Sequence, residues 1–187
     1  MGIGSTRCTR GRHLAEAARI VLFSVLAAIV YGVVHDLVTA HICVEYFTIA
    51  HPPLFPTRSP ILLALGWGVV ATWWVGLLLG LGLAAAARLG NRTRLNLADL
   101  RRPIVQLMLA CGAIALGAGV LGAALAETGA VWLTGNLIEA IPRERHTAFL
   151  FALWAHSASY LAGSLGGFFV IVRTARIRAK SESARQE

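Results

Sequence analysis

Charged side chains are scarce in this sequence: Asp, Glu, Lys and Arg make up 14% of the 187 residues, whereas hydrophobic residues make up 57%. A soluble domain carries about 25% charged residues, so these proportions exclude an ordinary water-soluble fold. The formal net charge is +8. In a soluble protein that excess would suggest a nucleic-acid partner, but the basic residues occur here in short blocks between apolar runs, and we predict no nucleic-acid binding.

Cysteine is also rare, and several common motifs are absent. The three cysteines, Cys8, Cys43 and Cys111, lie in different parts of the chain, so an intrachain disulfide is not expected. The chain has no CxxC pair, which argues against a thiol oxidase. It also lacks the HExxH and ExxH patterns, so any metal site would have to be assembled from distant residues.

Four apolar runs are long enough to cross a bilayer, whose ~30 Å hydrocarbon core requires about 20 helical residues. They cover about residues 18–40, 61–86, 104–126 and 148–172. We therefore predict an all-α integral membrane protein with a single four-helix transmembrane domain over residues 1–187. The expected partner is the lipid bilayer, and a second copy of the chain or another membrane protein is the further candidate.

The basic residues predict how the chain is oriented in the membrane. Of the 17 Lys and Arg residues, 14 precede the first run, separate the second from the third, or follow the fourth. The other two connecting segments contain Arg58, Arg143 and Arg145. By the positive-inside rule both termini are then cytoplasmic. Nearly all basic residues are arginine, and Ala and Gly are abundant, which is typical of a GC-rich bacterial genome and indicates a bacterial inner membrane.

Each apolar run carries a column of small or polar residues at four-residue spacing. Such columns let helix backbones approach closely, and close approach is what holds helices together in lipid. The columns comprise Ser24, Ala28, Gly32 and Asp36; Gly68, Thr72, Gly76 and Gly80; Cys111, Ala115, Gly119, Ala123 and Glu127; and Ala155, Ser159, Gly163 and Gly167. Four columns together predict a tightly packed bundle.

A candidate site is predicted where ionisable residues lie inside the apolar runs, because such side chains are costly in lipid and normally face the bundle interior. Counting from the flanking arginines at 1.5 Å per residue places His35 ~24 Å along the first helix and His156 ~25 Å along the fourth. Asp36 follows His35 directly. Residues expected around this polar layer are Thr39, Thr72, Trp73, Gly119 and Glu127, joined by His41, Cys43, Glu45 and His51 of the first external segment.

Three interpretations of this layer remain open. In the first, His35, Asp36, Glu45 and His156 bind a transition metal such as zinc, iron or copper, with a haem between the two histidines as a variant. Asp36 and Glu45 are then the catalytic candidates for hydrolysis by metal-activated water. In the second, both histidines and Asp36 form a proton relay in a small transporter. In the third, the polar pair fixes helix register in a non-enzymatic assembly or interaction subunit.

Trp73 and Trp74 lie well inside the second run, whereas tryptophan in membrane proteins is usually interfacial. Two interpretations are open: the rings fill space between helices, or they form the wall of a hydrophobic pocket for a lipid or isoprenoid tail.

The segment YGVVHDLVTAHICVEYFTIAHPP, from Tyr31 to Pro53, resembles a segment of uncharacterised bacterial multi-pass membrane proteins. In those proteins HD and a following VT or IT precede EYFT and a proline-bearing loop. The resemblance implies no known activity. It implies that the motif positions are His35, Asp36, Thr39, Glu45, Tyr46, Phe47 and Thr48.

Overall fold

The computed structural model describes residues 3–90 and 92–183, with side chains over 11–90 and 92–180. The elements in chain order are α1 (Ile3–Ile42), α2 (Glu45–Thr48), α3 (Pro60–Arg88), α4 (Leu97–Glu127), α5 (Leu137–Ala140), a 3-10 turn (Arg143–Arg145) and α6 (His146–Ser183). The described residues contain no strand. The predicted all-α fold is therefore confirmed.

Four of the helices, α1, α3, α4 and α6, are long and apolar enough to cross a membrane. The apolar stretches lie within 11–42, 60–88, 97–127 and 143–180, and less than a third of each is buried inside the bundle. The remaining apolar surface faces outward, which is the pattern expected of helices surrounded by lipid. The prediction of four membrane-spanning helices is confirmed.

Local sequence signals account for where the two central helices begin. The hydroxyl of Ser59 accepts a hydrogen bond from the backbone N–H of Leu62, and Pro60 occupies the first turn of α3. Proline is tolerated there because the first N–H groups of a helix have no partner within it. At the start of α4 the Asp99 carboxylate accepts from the backbone N–H of Asn96 at 2.8 Å. Both helices therefore start at side-chain caps.

One end of the bundle, here called the arginine-rich end, collects the start of α1, the end of α3, the start of α4 and the end of α6. The Glu16 carboxylate of α1 accepts from the Leu97 N–H at 2.8 Å. The Arg178 guanidinium of α6 donates to the Ala86 carbonyl at 2.6 Å and to the Thr93 carbonyl at 2.7 Å. The Ala86 contact satisfies a carbonyl at the C-terminus of α3, and the Glu16 contact satisfies an N–H at the start of α4, groups that lack a partner within their own helices.

The small-residue columns bring the helices together in two close pairs. A Cβ placed on Gly68 would lie 2.6 Å from the Val33 Cα, and one on Gly76 would lie 2.7 Å from the Val25 Cα. The α1 and α3 backbones therefore approach so closely that only glycine fits. In the other pair, the Phe151 ring of α6 lies over Gly119 of α4. Contacts between α1 and α4 are fewer, and a groove remains between them.

Candidate metal site

Three side chains meet inside the bundle, at the end opposite the arginine-rich end. Asp36 of α1 and His156 of α6 are 5% and 7% exposed, and Asp36 Oδ1 lies 3.2 Å from His156 Nε2. The His35 and His156 rings are in edge contact, with centroids 4.5 Å apart. One potential ligand atom from each of the three residues lies within 4.8 Å of the others. We refer to these residues as the His/Asp/His group.

The hydrogen bonds of His156 determine where its protons are. Its Nδ1 lies 2.8 Å from the Ala152 carbonyl oxygen, which can only accept, so Nδ1 carries a hydrogen. Its Nε2 lies 3.2 Å from Asp36 Oδ1, and a hydrogen bond between these two atoms requires a proton on one of them. An imidazole anchored through Nδ1–H to a backbone carbonyl, with Nε2 aimed at the site, is the usual arrangement of a metal-binding histidine.

His35 supplies a second imidazole to the group, and one of its nitrogens is unsatisfied. Its Nε2 is buried and has no hydrogen-bond partner among the described residues. The Tyr31 ring, one helical turn earlier on α1, stacks on the His35 ring at a centroid distance of 5.8 Å. A buried polar atom without a partner costs about 1–3 kcal/mol, and in native proteins such an atom often indicates a bound ion or water.

The short helix α2 forms a roof over the group. The Tyr46 ring stacks on the His156 ring with centroids 4.3 Å apart, and the Phe47 ring meets the same histidine at 5.6 Å. Both aromatic residues are buried. Burial, together with the nearby Tyr160 and Asp36, raises the pKa of the Tyr46 hydroxyl above its ordinary value. Tyr46 is therefore a neutral cover that excludes water from one side of the group.

An inner cavity of about 30 Å³ lies beside the group. This space suits a single water molecule or ion. His51 also lines the cavity, and its Nδ1 lies 2.8 Å from the Tyr46 carbonyl oxygen, which ties the loop after α2 to the roof. The complete lining is Tyr31, Gly32, His35, Asp36, Phe47, His51, Trp67, Ala71, Thr72, His156, Ser159 and Tyr160.

Glu45, predicted as a metal ligand, lies outside the group. Its carboxylate accepts from Arg145 Nε at 3.0 Å and from the Cys43 thiol at 3.3 Å, and Arg145 also donates to the Ile42 carbonyl at 2.7 Å. The structure does not bring Glu45 into the group, because an arginine 100 residues away in the chain binds its carboxylate. Glu45 fastens α2 to the segment before α6, so it acts on the group through the roof.

The charge of Glu45 is stabilised by this network. Partial burial raises the pKa of Glu45, but hydrogen bonds from its own backbone N–H, from Arg145 and from Cys43, together with the charge of Arg145, bring it below its ordinary value. Burial raises the pKa of the Cys43 thiol to about 11. Cys43 is therefore a neutral, buried structural residue.

The predicted pocket residues lie in different environments in the structure. Thr72 lines the inner cavity, and Thr39 is buried, with its hydroxyl donating to the His35 carbonyl at 3.1 Å. Trp73 is 47% exposed on the outer face of α3, and Glu127 is exposed at the end of α4. Gly119 is covered by Phe151. The last three residues do not line the inner cavity, because a depth count gives the level of a residue but not its direction.

Among the polar and aromatic lining residues, four were not predicted as site residues: Tyr31, Trp67, Ser159 and Tyr160. Two of them were recognisable, since Tyr31 precedes His35 by four positions and Tyr160 follows His156 by four, so each shares a helix face with a site histidine. The hydroxyls of Tyr31 and Ser159 share a 2.6 Å hydrogen bond between α1 and α6. Only the folded bundle reveals that link.

No protein-family model, curated protein or solved structure matches this chain. The chemistry of the group therefore has to come from its own geometry. Two atoms bound ~2.1 Å from one ion lie about 3.0–3.4 Å apart across a tetrahedral or octahedral angle, and the 3.2 Å between Asp36 and His156 falls in this range. The haem variant does not fit, because the two rings are in contact and the cavity beside them is small.

Proposed function

We propose that this is a metal-binding, multi-pass protein of the bacterial inner membrane, with His35, Asp36 and His156 as its metal ligands. Both termini lie in the cytoplasm, so the metal site lies near the periplasmic side. The observation that carries the proposal is the buried, unpartnered Nε2 of His35 beside an aspartate–histidine pair. A cation bound there gives this nitrogen a partner.

The donor set favours a first-row transition ion. Two imidazoles and one carboxylate occur in zinc hydrolases and in non-haem iron(II) enzymes, and imidazole also suits copper. Two potential ligand atoms in the group lie up to 4.8 Å apart. This distance exceeds the separation of two atoms bound to one ion by about 1.4 Å. A small rotation of the His35 ring, which is not fixed by a hydrogen bond at Nε2, closes this gap. Zinc, iron and copper are the candidate ions.

Three protein ligands leave coordination positions for water or a substrate. A bound ion of this kind lowers the pKa of its water and polarises a carbonyl or phosphoryl oxygen. The activity class that the site supports is therefore metal-assisted hydrolysis. In this role Asp36 is a ligand, His156 is oriented through its Nδ1–H, and Tyr46 excludes bulk water from the ion.

Elemental analysis of protein purified in detergent without added metal tests the proposal. We expect one zinc, iron or copper ion per chain in the wild type and its loss in His35→Gln and His156→Gln. The matched control is His41→Gln, because His41 is exposed on α1 and its ring is hydrogen-bonded to the Leu37 carbonyl of its own helix. A wild type without stoichiometric metal, or equal metal in all four proteins, contradicts the proposal.

A second candidate function is that of a non-enzymatic assembly subunit, in which Asp36 and His156 fix the register of α1 against α6. The direct 3.2 Å contact favours it. Replacing a buried polar pair with apolar residues is often neutral or stabilising. This alternative therefore predicts that the double variant Asp36→Leu/His156→Leu keeps its thermal stability. It also predicts that the wild type holds no metal. The metal proposal predicts that the wild type alone is further stabilised by added zinc.

A further inference from the structure

We infer that the groove between α1 and α4 binds the hydrocarbon chain of a membrane lipid and brings the oxygen-bearing end of that lipid to His35. The inference rests on the proposed metal site for the substrate class it assigns, which is a long-chain lipid. The binding of the chain rests on the groove alone. The groove has a volume of about 710 Å³, within the range of small-molecule sites.

The groove lies on the outward faces of the bundle at membrane depth. Val30 and Val34 on α1 are 62% and 57% exposed, and Leu109 and Leu116 on α4 are 69% and 55% exposed. On α1 the lining extends from residue 23 to residue 39, a length of ~24 Å at 1.5 Å per residue. This length covers most of a ~30 Å hydrocarbon core, so the groove opens sideways to lipid chains.

Three polar side chains line the groove, and the hydroxyl groups of two of them are already hydrogen-bonded within the protein. The Tyr31 hydroxyl is bonded to Ser159, and the Thr39 hydroxyl is bonded to the His35 carbonyl. The third is His35, whose ring also belongs to the His/Asp/His group. Within the part of the chain whose side chains the structure describes, no Asp, Glu, Lys or Arg lines the groove. An occupant with an uncharged hydrocarbon body and one polar end therefore matches this surface.

His35 stands between the groove and the metal site. Both Tyr31 and His35 line the groove and also the inner cavity that holds Asp36 and His156. A lipid in the groove therefore reaches the His/Asp/His group from the membrane, without crossing the roof formed by α2. This path gives the site access to a substrate that does not leave the bilayer.

A transmembrane helix of a partner fits the groove less well than a lipid chain. Helices associate in lipid through small residues, and the small residues of α3 and α4 already pack within the bundle. Gly76 of α3 meets Val25 of α1, and Gly119 and Gly122 of α4 lie under Phe151 and Trp154 of α6. The groove walls are formed mainly by bulky side chains. A flexible chain can fill such an irregular surface.

Gly112 lies in the groove and provides a way to close it. A Cβ at this position would lie 3.7 Å from the Tyr31 ring, an ordinary contact, so a larger side chain is expected to project into the groove without disturbing the helix pairs. Gly117 on the same helix has open space around it and does not line the groove. Gly112→Leu and Gly117→Leu thus form a matched pair, with Ala113→Leu as a second variant that fills the groove.

The test is photolabelling of the full-length protein in detergent with phosphatidylethanolamine that carries a diazirine on one acyl chain. As the probe is titrated, we expect saturable labelling at Val34 and Leu109, loss of the saturable component in Gly112→Leu and Ala113→Leu, and its retention in Gly117→Leu. Labelling that is non-saturable, or unchanged in both variants that fill the groove, overturns the inference. A disulfide-linked dimer of Leu109→Cys, together with a wild type that is not labelled at Leu109, also overturns it in favour of a second copy.

Metal content measured on the same preparations separates this inference from the proposed function. Saturable labelling of a wild type that contains no metal supports the lipid groove and contradicts the metal site. One metal ion per chain without saturable labelling supports the metal site and contradicts the lipid groove. Metal retained in Gly112→Leu, with labelling lost, shows that the side chain closed the groove and left the site folded.

Discussion

The His156 ring is fixed from three directions, and this fixation defines the site at the residue scale. Its Nδ1–H donates to a carbonyl of its own helix, its Nε2 faces Asp36 of α1, and its face is covered by Tyr46 of α2. The adjacent His35 lacks a comparable partner at Nε2. One rigid and one adjustable imidazole are suited to closing around an ion that arrives after folding.

The residue-scale part of the site was only partly predictable. Counting along two helices placed His35 and His156 at one level, because helical rise is constant. The same count could not show that Glu45 is taken up by Arg145, since that contact depends on how the segment before α6 meets α2. It also could not assign Trp73 to the outer surface, because no period in α3 distinguishes lipid-facing from buried apolar residues.

Acidification is expected to weaken the attachment of α2. The pKa of Glu45 is lowered from its ordinary 4.5 in the folded protein, so its stabilising contribution is present above that value and is lost as the pH falls through the folded pKa. We expect the thermal unfolding midpoint of the wild type to fall more steeply on acidification than that of Glu45→Gln. For a partly exposed pair the difference at neutral pH is about 1 kcal/mol or less.

The comparison of these two proteins isolates Glu45, because both retain Asp36 and every other carboxyl group. Glu139→Gln, at an exposed glutamate of α5, serves as the control for the loss of one negative charge. Parallel midpoint curves for wild type and Glu45→Gln over the whole acid range would show that the Arg145 ion pair does not stabilise the roof.

At the element scale, the bundle consists of two close helix pairs separated by a groove. The small-residue columns predicted close packing, and the structure uses those of α1 and α3 against each other at Gly68 and Gly76. The columns could not predict which helices pair, because the same spacing occurs in all four. The groove between α1 and α4 is a consequence of this pairing.

Glycine at position 76 is expected to be indispensable for the α1–α3 pair. A Cβ there would lie 2.7 Å from the Val25 Cα and 2.8 Å from the Ser24 carbonyl oxygen. We expect Gly76→Ala to destabilise the detergent-solubilised protein by about 1–3 kcal/mol. Gly163→Ala, where nothing lies within 4 Å, is expected to be neutral or to stabilise by up to about 1 kcal/mol through helix propensity. Thermal unfolding measures both, and equal midpoints would refute the close contact.

At the scale of the whole molecule, the two ends of the bundle differ in composition. At the arginine-rich end the Arg178 guanidinium is bonded to carbonyls of α3 and of the loop that follows it, whereas the other end holds the His/Asp/His group and its aromatic roof. Because arginine stays on the cytoplasmic side during insertion, this asymmetry supports the proposed orientation. Fold class and number of spans were predictable from the composition and from the lengths of the apolar runs.

Reporter fusions test that orientation. Alkaline phosphatase fused after Glu187 is expected to be inactive, and green fluorescent protein at the same position is expected to fluoresce, since phosphatase folds only in the periplasm and the fluorescent protein in the cytoplasm. Insertion of each reporter after Thr134, in the segment between α4 and α6, provides the reciprocal control. An active phosphatase at Glu187 would show that the C-terminus is periplasmic, which contradicts the proposed orientation.

The central claim, that the His/Asp/His group binds a metal ion, is tested most directly by Co²⁺ titration of chelator-treated protein in detergent. Cobalt(II) in a site of nitrogen and oxygen ligands gives visible ligand-field absorption. The predicted result is absorption that saturates at one Co²⁺ per chain in the wild type and in His41→Gln, and that is absent in His156→Gln. Absence of the band from the wild type, or an equal band in His156→Gln, would contradict the claim.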